Sequence, residues 1–228
     1  MFFTALRRKQ VRITLDILMT IILVVEMSFL FFPRSFHEIL GLAFLIPLFF
    51  HLRKNRGFLK SLPRGRWKAP RIIMAVSGFL VAVTFLATMI SGCLISNLFS
   101  GFVPSSVRIN PVLYEIHRIA ARGFLMAAGF HLGIHLDGWW QRLLHVLHIS
   151  RCSLLAKAGA GILIFLTAAA GIFAAVEDRF WERLMGAPLF MTPALRFHAF
   201  GYILVQLAVF LLFAEAGWLL WRLSGQRR

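Results

Sequence analysis

Residues 116–136 read IHRIAARGFLMAAGFHLGIHL, an apolar stretch long enough to span a bilayer, with His117 and His131 fourteen residues apart. Residues 36–52, FHEILGLAFLIPLFFHL, repeat the pattern with His37 and His51, also fourteen apart. On an α-helix, fourteen residues rise about 21 Å and return to within about 40° of the same face. Each helix therefore offers one imidazole near each side of a membrane. Two such helices side by side would form two bis-histidine sites stacked across the bilayer. That geometry suits two b-type haems and transmembrane electron transfer.

The rest of the chain supports a membrane setting. Its 228 residues are 59% hydrophobic, with 24 Phe, and the mean hydropathy is +0.78. The expected fold is all-α, a polytopic bundle of about six spans around a four-helix haem-binding core. The spans are expected at about 13–32, 36–52, 72–96, 116–136, 156–176 and 195–221. Arg7, Arg8, Lys9 and Arg12 precede the first. No small-residue cleavage site follows it, so it is read as a retained span rather than a signal peptide. Residues 53–71 form a basic loop broken by Gly57, Pro63, Gly65 and Pro70.

The outer segment 97–115, with Pro104 and Pro111, is expected along the surface. Asp137-Gly138-Trp139-Trp140 closes the fourth span with an interfacial aromatic pair. In domain terms, 1–140 is expected to be the four-helix haem-binding core and 141–155 an amphipathic segment lying on the cytoplasmic surface. Residues 156–228 add two helices and a basic tail ending in Arg227 and Arg228. The fifth span is rich in Ala and Gly, which permits close helix packing. The following outer segment, 177–193, carries Trp181 and Pro188.

The net charge of +16 does not point to nucleic acid. On this span assignment, 18 of the 25 Lys and Arg fall on the side of the N-terminus and seven elsewhere. By the positive-inside rule that side is cytoplasmic, and an even number of spans puts both termini there. A basic face also suits anionic membrane lipids. Cys93 lies in a span and Cys152 in a cytoplasmic segment, so no disulfide is implied, and no CxxCH motif attaches a c-type haem.

A buried imidazole in lipid needs a partner, and haem iron is a good one. Two trans imidazoles saturate the iron and favour electron transfer over oxygen chemistry. His37 and His117 fall near the outer surface, His51 and His131 near the inner. His135 shares the face of His131 and remains an alternative inner ligand. Its rise from His117 is about 27 Å, against about 21 Å for the partner helix. It could instead hold a haem propionate or a quinone oxygen.

Gly41, Gly123, Ala120, Ala121, Ala127, Ala128, Gly129 and Gly133 either make room for a porphyrin or serve ordinary helix packing. Arg118 and Arg122 follow the outer histidine and are candidates for haem propionates, with Arg34 and Arg196 at similar depth. Arg122 lies inside its span and calls for a partner. Glu26, at similar depth, is one candidate and a propionate the other. Asp16 and Glu215 could take up protons or merely reach the interface. His198 could serve a quinol, and His145 and His148 form a weak HxxH pair.

Three short motifs, in order, resemble the membrane cytochrome b domain of flavinylation-associated cytochromes. They are His37-Glu38-Ile39-Leu40-Gly41 with His51, Ser91-Gly92-Cys93-Leu94-Ile95-Ser96, and His117 with His131-Leu132-Gly133-Ile134-His135. The resemblance covers roughly residues 10 to 140. It implies a four-helix haem core with ligands His37, His51, His117 and His131 or His135. It also implies electron exchange between a quinol pool and an extracytoplasmic, often flavin-bearing, partner. The histidine spacing is similar to that in cytochrome b subunits of quinol–cytochrome c oxidoreductases, hydrogenases and formate dehydrogenases. It is also similar to ferric-reductase-like proteins, so a transmembrane reductase is one alternative. A haem-free membrane scaffold or transporter is another.

Overall fold

Gly, Ala and bulky apolar residues dominate the long segments, and every one of them is helical in the computed structural model. The structure describes residues 2–61, 66–146, 154–187 and 197–224. In chain order the helices are α1 (Phe2–Glu26), a 3₁₀ turn (Phe29–Phe31), α2 (Arg34–Ala43), α3 (Leu45–Ser61), α4 (Ala69–Ile95) and α5 (Ser105–Arg108). They continue with α6 (Pro111–Val146), α7 (Leu154–Glu177), α8 (Phe180–Leu184) and α9 (Ala199–Leu223). Among the described residues there is no strand.

Four stretches are long and apolar enough to cross a membrane: Arg34–Phe58, Ala69–Ile95, Pro111–Leu144 and Ala199–Leu223. The apolar part of α7, Gly161–Glu177, is shorter. Among the described residues the fold is thus all-helical, with four helices long and apolar enough for a membrane protein. Its outward faces carry large apolar side chains such as Phe79, Ile90 and Phe165, with Phe165 71% exposed. A lipid-facing surface has this character.

Two helices run further than the sequence suggests. The second expected span was short, but α2 and α3 continue as one helix with an irregular turn at Phe44. Pro47 has no N–H to give to the Ala43 carbonyl, which accounts for the break. The fourth was expected to stop at 136, yet α6 continues through Asp137 and Gly138 to Val146. A helical Gly costs only about 1 kcal/mol, and α9 holds Asp137 in place. Trp218 Nε1 donates to Asp137 Oδ1 at 2.9 Å, and Arg222 does so at 3.2 Å. Residues 141–146 therefore extend α6 instead of starting a separate surface helix.

Pro63, Gly65, residues 147–153 with His148 and Cys152, Pro188, Pro193, Arg196 and the terminal Arg227 and Arg228 lie outside the described residues. So does the side chain of His145.

α6 is the hub, packed against α4 on one side and α9 on the other, with α7 behind α9. α1 packs on α3 and α6. The buried core joins Leu23 and Val24 of α1, Phe44, Phe124 and Leu125 of α6, and Val209 and Phe210 of α9.

Glycines set the closest approaches. A Cβ at Gly129 would lie 2.5 Å from the Phe210 carbonyl oxygen, and one at Gly133 would overlap the Ala214 backbone. One at Gly171 of α7 would lie 2.7 Å from the Ala208 oxygen. Gly129 and Gly133 are therefore helix-packing residues facing α9. They do not make a porphyrin slot.

Candidate functional site: a bis-histidine cavity

A cavity of about 580 Å³ opens between α1, α2, α4 and α6, lined by Glu26, Phe44, Phe85, Met89, Phe124 and both outer histidines among others. Cofactor sites typically fall in the range of about 300–1,000 Å³. The ring centroids of His37 and His117 are 6.1 Å apart, with planes at 82°. Two metal–nitrogen bonds of about 2.0 Å, plus the reach from each ring centre to its nitrogen, sum to roughly 6 Å. The two rings are thus close enough for one group held between them to contact both. Among the described residues no three His, Cys, Asp or Glu side chains converge on a bare-metal site. Two imidazoles in the wall of an apolar cavity of this volume are side chains that a haem could use.

α4 sets the orientation of His117. Its Nδ1 lies 3.0 Å from the Thr88 carbonyl and 3.3 Å from Ser91 Oγ. A carbonyl only accepts, so Nδ1 carries the proton and Nε2 keeps its lone pair. Ser91 itself donates to the Ala87 carbonyl. Gly92 gives the ring its room, because a Cβ there would lie 3.0 Å from His117 Cε1.

The same device recurs one site below. Ser77 Oγ donates to the Met74 carbonyl, so it accepts from His131 Nδ1 at 3.0 Å. Gly78 faces His131 Cε1. Ser77-Gly78 and Ser91-Gly92 are fourteen residues apart on α4, matching His131 and His117 on the antiparallel α6. Sequence reasoning used only the second Ser-Gly pair. The first was visible at the same spacing, and it marks His131 as the counterpart of His117. His135 instead packs edge-on against His131, with centroids 4.7 Å apart.

The partner histidines take carboxylates from α1. Glu26 Oε2 is 2.5 Å from His37 Nδ1, off the direction of a hydrogen bond. Asp16 Oδ1 accepts from His51 Nδ1 at 3.0 Å. Asn55 Nδ2 then donates to His51 Nε2 at 3.2 Å, occupying the atom that a metal would need. The structure brings His37 and His117 together. It makes no comparable ring pair of His51 with His131 or His135.

Glu26 therefore pairs with His37, and the expected Glu26–Arg122 pair does not form. Arg122, 7% exposed, donates to Asp178 Oδ2 and Gln206 Oε1, each at 2.8 Å. It also reaches Tyr202 Oη at 3.3 Å. Tyr202 donates to Asp178 Oδ1 at 2.6 Å, and Arg183 donates to Tyr202 at 2.9 Å. Sequence reasoning missed Asp178, which it placed in an outer connection. Arg179 follows it in the left-handed region, at φ 50°, and this reversal turns Asp178 and Arg183 toward α6. Tyr202 and Gln206, four residues apart on α9, were readable as one polar face.

The remaining candidates separate. Arg118 lines the cavity and is paired with Glu115. Gly41 lines it too, with Glu26 opposite. Gly123 packs against Thr84 of α4 and belongs to helix packing. Arg34 bonds Glu38 at 2.8 Å, and Glu38 accepts from the backbone of Asn97 and Leu98, fixing the end of α4. Glu215 holds Thr167, tying α9 to α7. His198 is exposed at the start of α9. No protein family, curated protein or solved structure matches this chain.

Proposed function

We propose that this protein is a membrane cytochrome b with two bis-histidine haems. It would pass electrons across the cytoplasmic membrane between a quinol pool and an extracytoplasmic redox partner, possible flavin-bearing proteins included. The observation that carries the reading is the facing of His37 and His117 across the apolar cavity, 6.1 Å apart. The Ser-Gly repeat extends it to His131, with His51 the partner once Asn55 yields its ring nitrogen. Two six-coordinate haems would supply one-electron transfer with no open position for oxygen. The chain's part is to fix the imidazole tautomers from α4, place carboxylates from α1, and exclude water with Phe44, Phe85 and Phe124.

On a six-span reading, the positive-inside asymmetry supports both termini on the cytoplasmic side. On that topology His37 and His117 lie toward the outer side, beside the extracytoplasmic partner. Basic residues at the inner ends face anionic lipid.

The test is a dithionite-reduced minus oxidised spectrum of the purified chain, with pyridine haemochrome quantitation. A low-spin b-type spectrum with about two haems per chain is expected, by the count of bis-histidine sites. His117→Ala should lose one haem, and His131→Ala the other, whereas His135→Ala should keep both. Absence of haem in protein made under haem-replete conditions would overturn the reading in favour of a scaffold or transporter. Haem present but reduced only from a cytoplasmic donor would favour the ferric-reductase-like alternative.

A further inference from the structure

Four guanidinium groups line the outer cavity: Arg34, Arg118, Arg122 and Arg183. Arg34 is paired with Glu38, Arg118 with Glu115, and Arg122 with Asp178. Among the described residues Arg183 has no carboxylate of its own. It shares Asp178 at 3.1 Å, although that group already accepts from Arg122 and Tyr202. Of the two carboxylates in the wall, Glu38 holds Arg34, and Glu26 lies beside His37 with its Oε1 buried and unpartnered among the described residues. The Arg183 side chain is only 9% exposed, and among the described residues its Nη2 is buried with no hydrogen-bond partner.

A buried charged donor left without an acceptor is costly. The surrounding wall is mostly apolar, so a partner must come from whatever fills the cavity. That partner has to be anionic and to present an acceptor to a planar, two-nitrogen fork. A carboxylate fits this best.

We propose that Arg183 Nη2 binds a propionate carboxylate of the outer haem. This inference rests on the two-haem reading. It replaces Arg118 and Arg122 as the direct propionate ligands, since both already hold protein carboxylates. It also gives the last two spans a role in the site. Asp178 directly follows α7, the turn at Arg179 delivers Arg183, and α9 supplies Tyr202, which accepts from Arg183, and Gln206, which accepts from the neighbouring Arg122.

The test uses the full chain, produced haem-free and titrated in detergent with haem or haem dimethyl ester, whose propionates are blocked. The background is His131→Ala, so that only the outer site fills. Arg183→Gln should weaken haem binding about 10- to 100-fold, the scale of one charge-assisted hydrogen bond. The dimethyl ester should bind the Arg183-containing chain weaker by a similar factor. Esterification should add little to the loss in Arg183→Gln, and Arg183→Lys should recover part of the affinity.

Arg66→Gln, at an exposed position outside the cavity lining, should leave both affinities unchanged. Equal binding of haem and its dimethyl ester to the Arg183-containing chain would overturn the assignment, and that arm needs no folded variant. So would an ester penalty that persists in full in Arg183→Gln, as it would if Nη2 served a lipid phosphate instead. A chain that takes up neither haem nor ester removes the two-haem reading, and the propionate assignment with it.

Discussion

At Gly92 a single hydrogen atom stands where a methyl group would collide with a functional ring. The hypothetical Cβ lies 3.0 Å from His117 Cε1 and 3.2 Å from Nδ1. At Gly78 the matching distance to His131 Cε1 is 3.8 Å, an ordinary contact. Gly92→Ala should therefore push His117 off the Thr88 carbonyl and lower outer-haem content, while Gly78→Ala should be tolerated. Haem stoichiometry in the two variants checks this, and equal occupancy in both would defeat it.

Glu26 supports a second residue-scale prediction. On the two-haem proposal, the negative charge of Glu26 beside His37 would favour the more positive, oxidised metal. Glu26→Gln should raise the midpoint potential of the outer haem and leave the inner one unchanged, as read by redox titration. The histidine spacing was plain in the sequence. The carboxylates were not, because Asp16 and Glu26 reach α3 and α2 only through the packing of α1, which no local pattern encodes.

Among the elements, α6 shows why composition alone was ambiguous. Small residues suit both a flat cofactor and a close helix neighbour. The structure divides them by face: Gly129 and Gly133 touch the α9 backbone, and Gly123 touches Thr84 of α4. Gly133→Ala would place a methyl group 2.7 Å from the Ala214 carbonyl carbon and 2.8 Å from the Trp218 nitrogen. Overpacking of this kind typically costs about 1–3 kcal/mol. Thermal unfolding in detergent should show a lower midpoint for Gly133→Ala, with haem content per folded chain retained. Preserved stability with lost haem would return Gly133 to the cofactor slot. The length of α6 was underestimated for a related reason. Asp137-Gly138 reads as a helix stop in isolation, and only Trp218 and Arg222 on a distant helix show that it is not one.

For the whole molecule the decisive issue is where the working unit ends. The sequence motifs occupy roughly residues 10 to 140, and on that basis the last two helices looked like an addition. The packing argues against separability. α9 covers the face of α6 opposite α4, burying Leu125, Val209 and Phe210 to 2% exposure or less. Arg122 lies inside α6, and its carboxylate partner Asp178 comes from the end of α7. Removing α7 to α9 would strip that charge of its partner and also expose the glycine face of α6. Losing one member of a buried pair costs about 3–5 kcal/mol by itself, a large part of a typical domain's stability. A chain ended after residue 146 should therefore fail to accumulate as a folded, haem-binding protein. Co-expression with residues 154–228 as a separate polypeptide should restore it, because the α6–α9 contact needs no covalent link. The measurement is monodisperse yield and haem content after purification by a tag on the first fragment. A truncated chain that stays monodisperse and holds both haems alone would show that the motifs by themselves define the working unit.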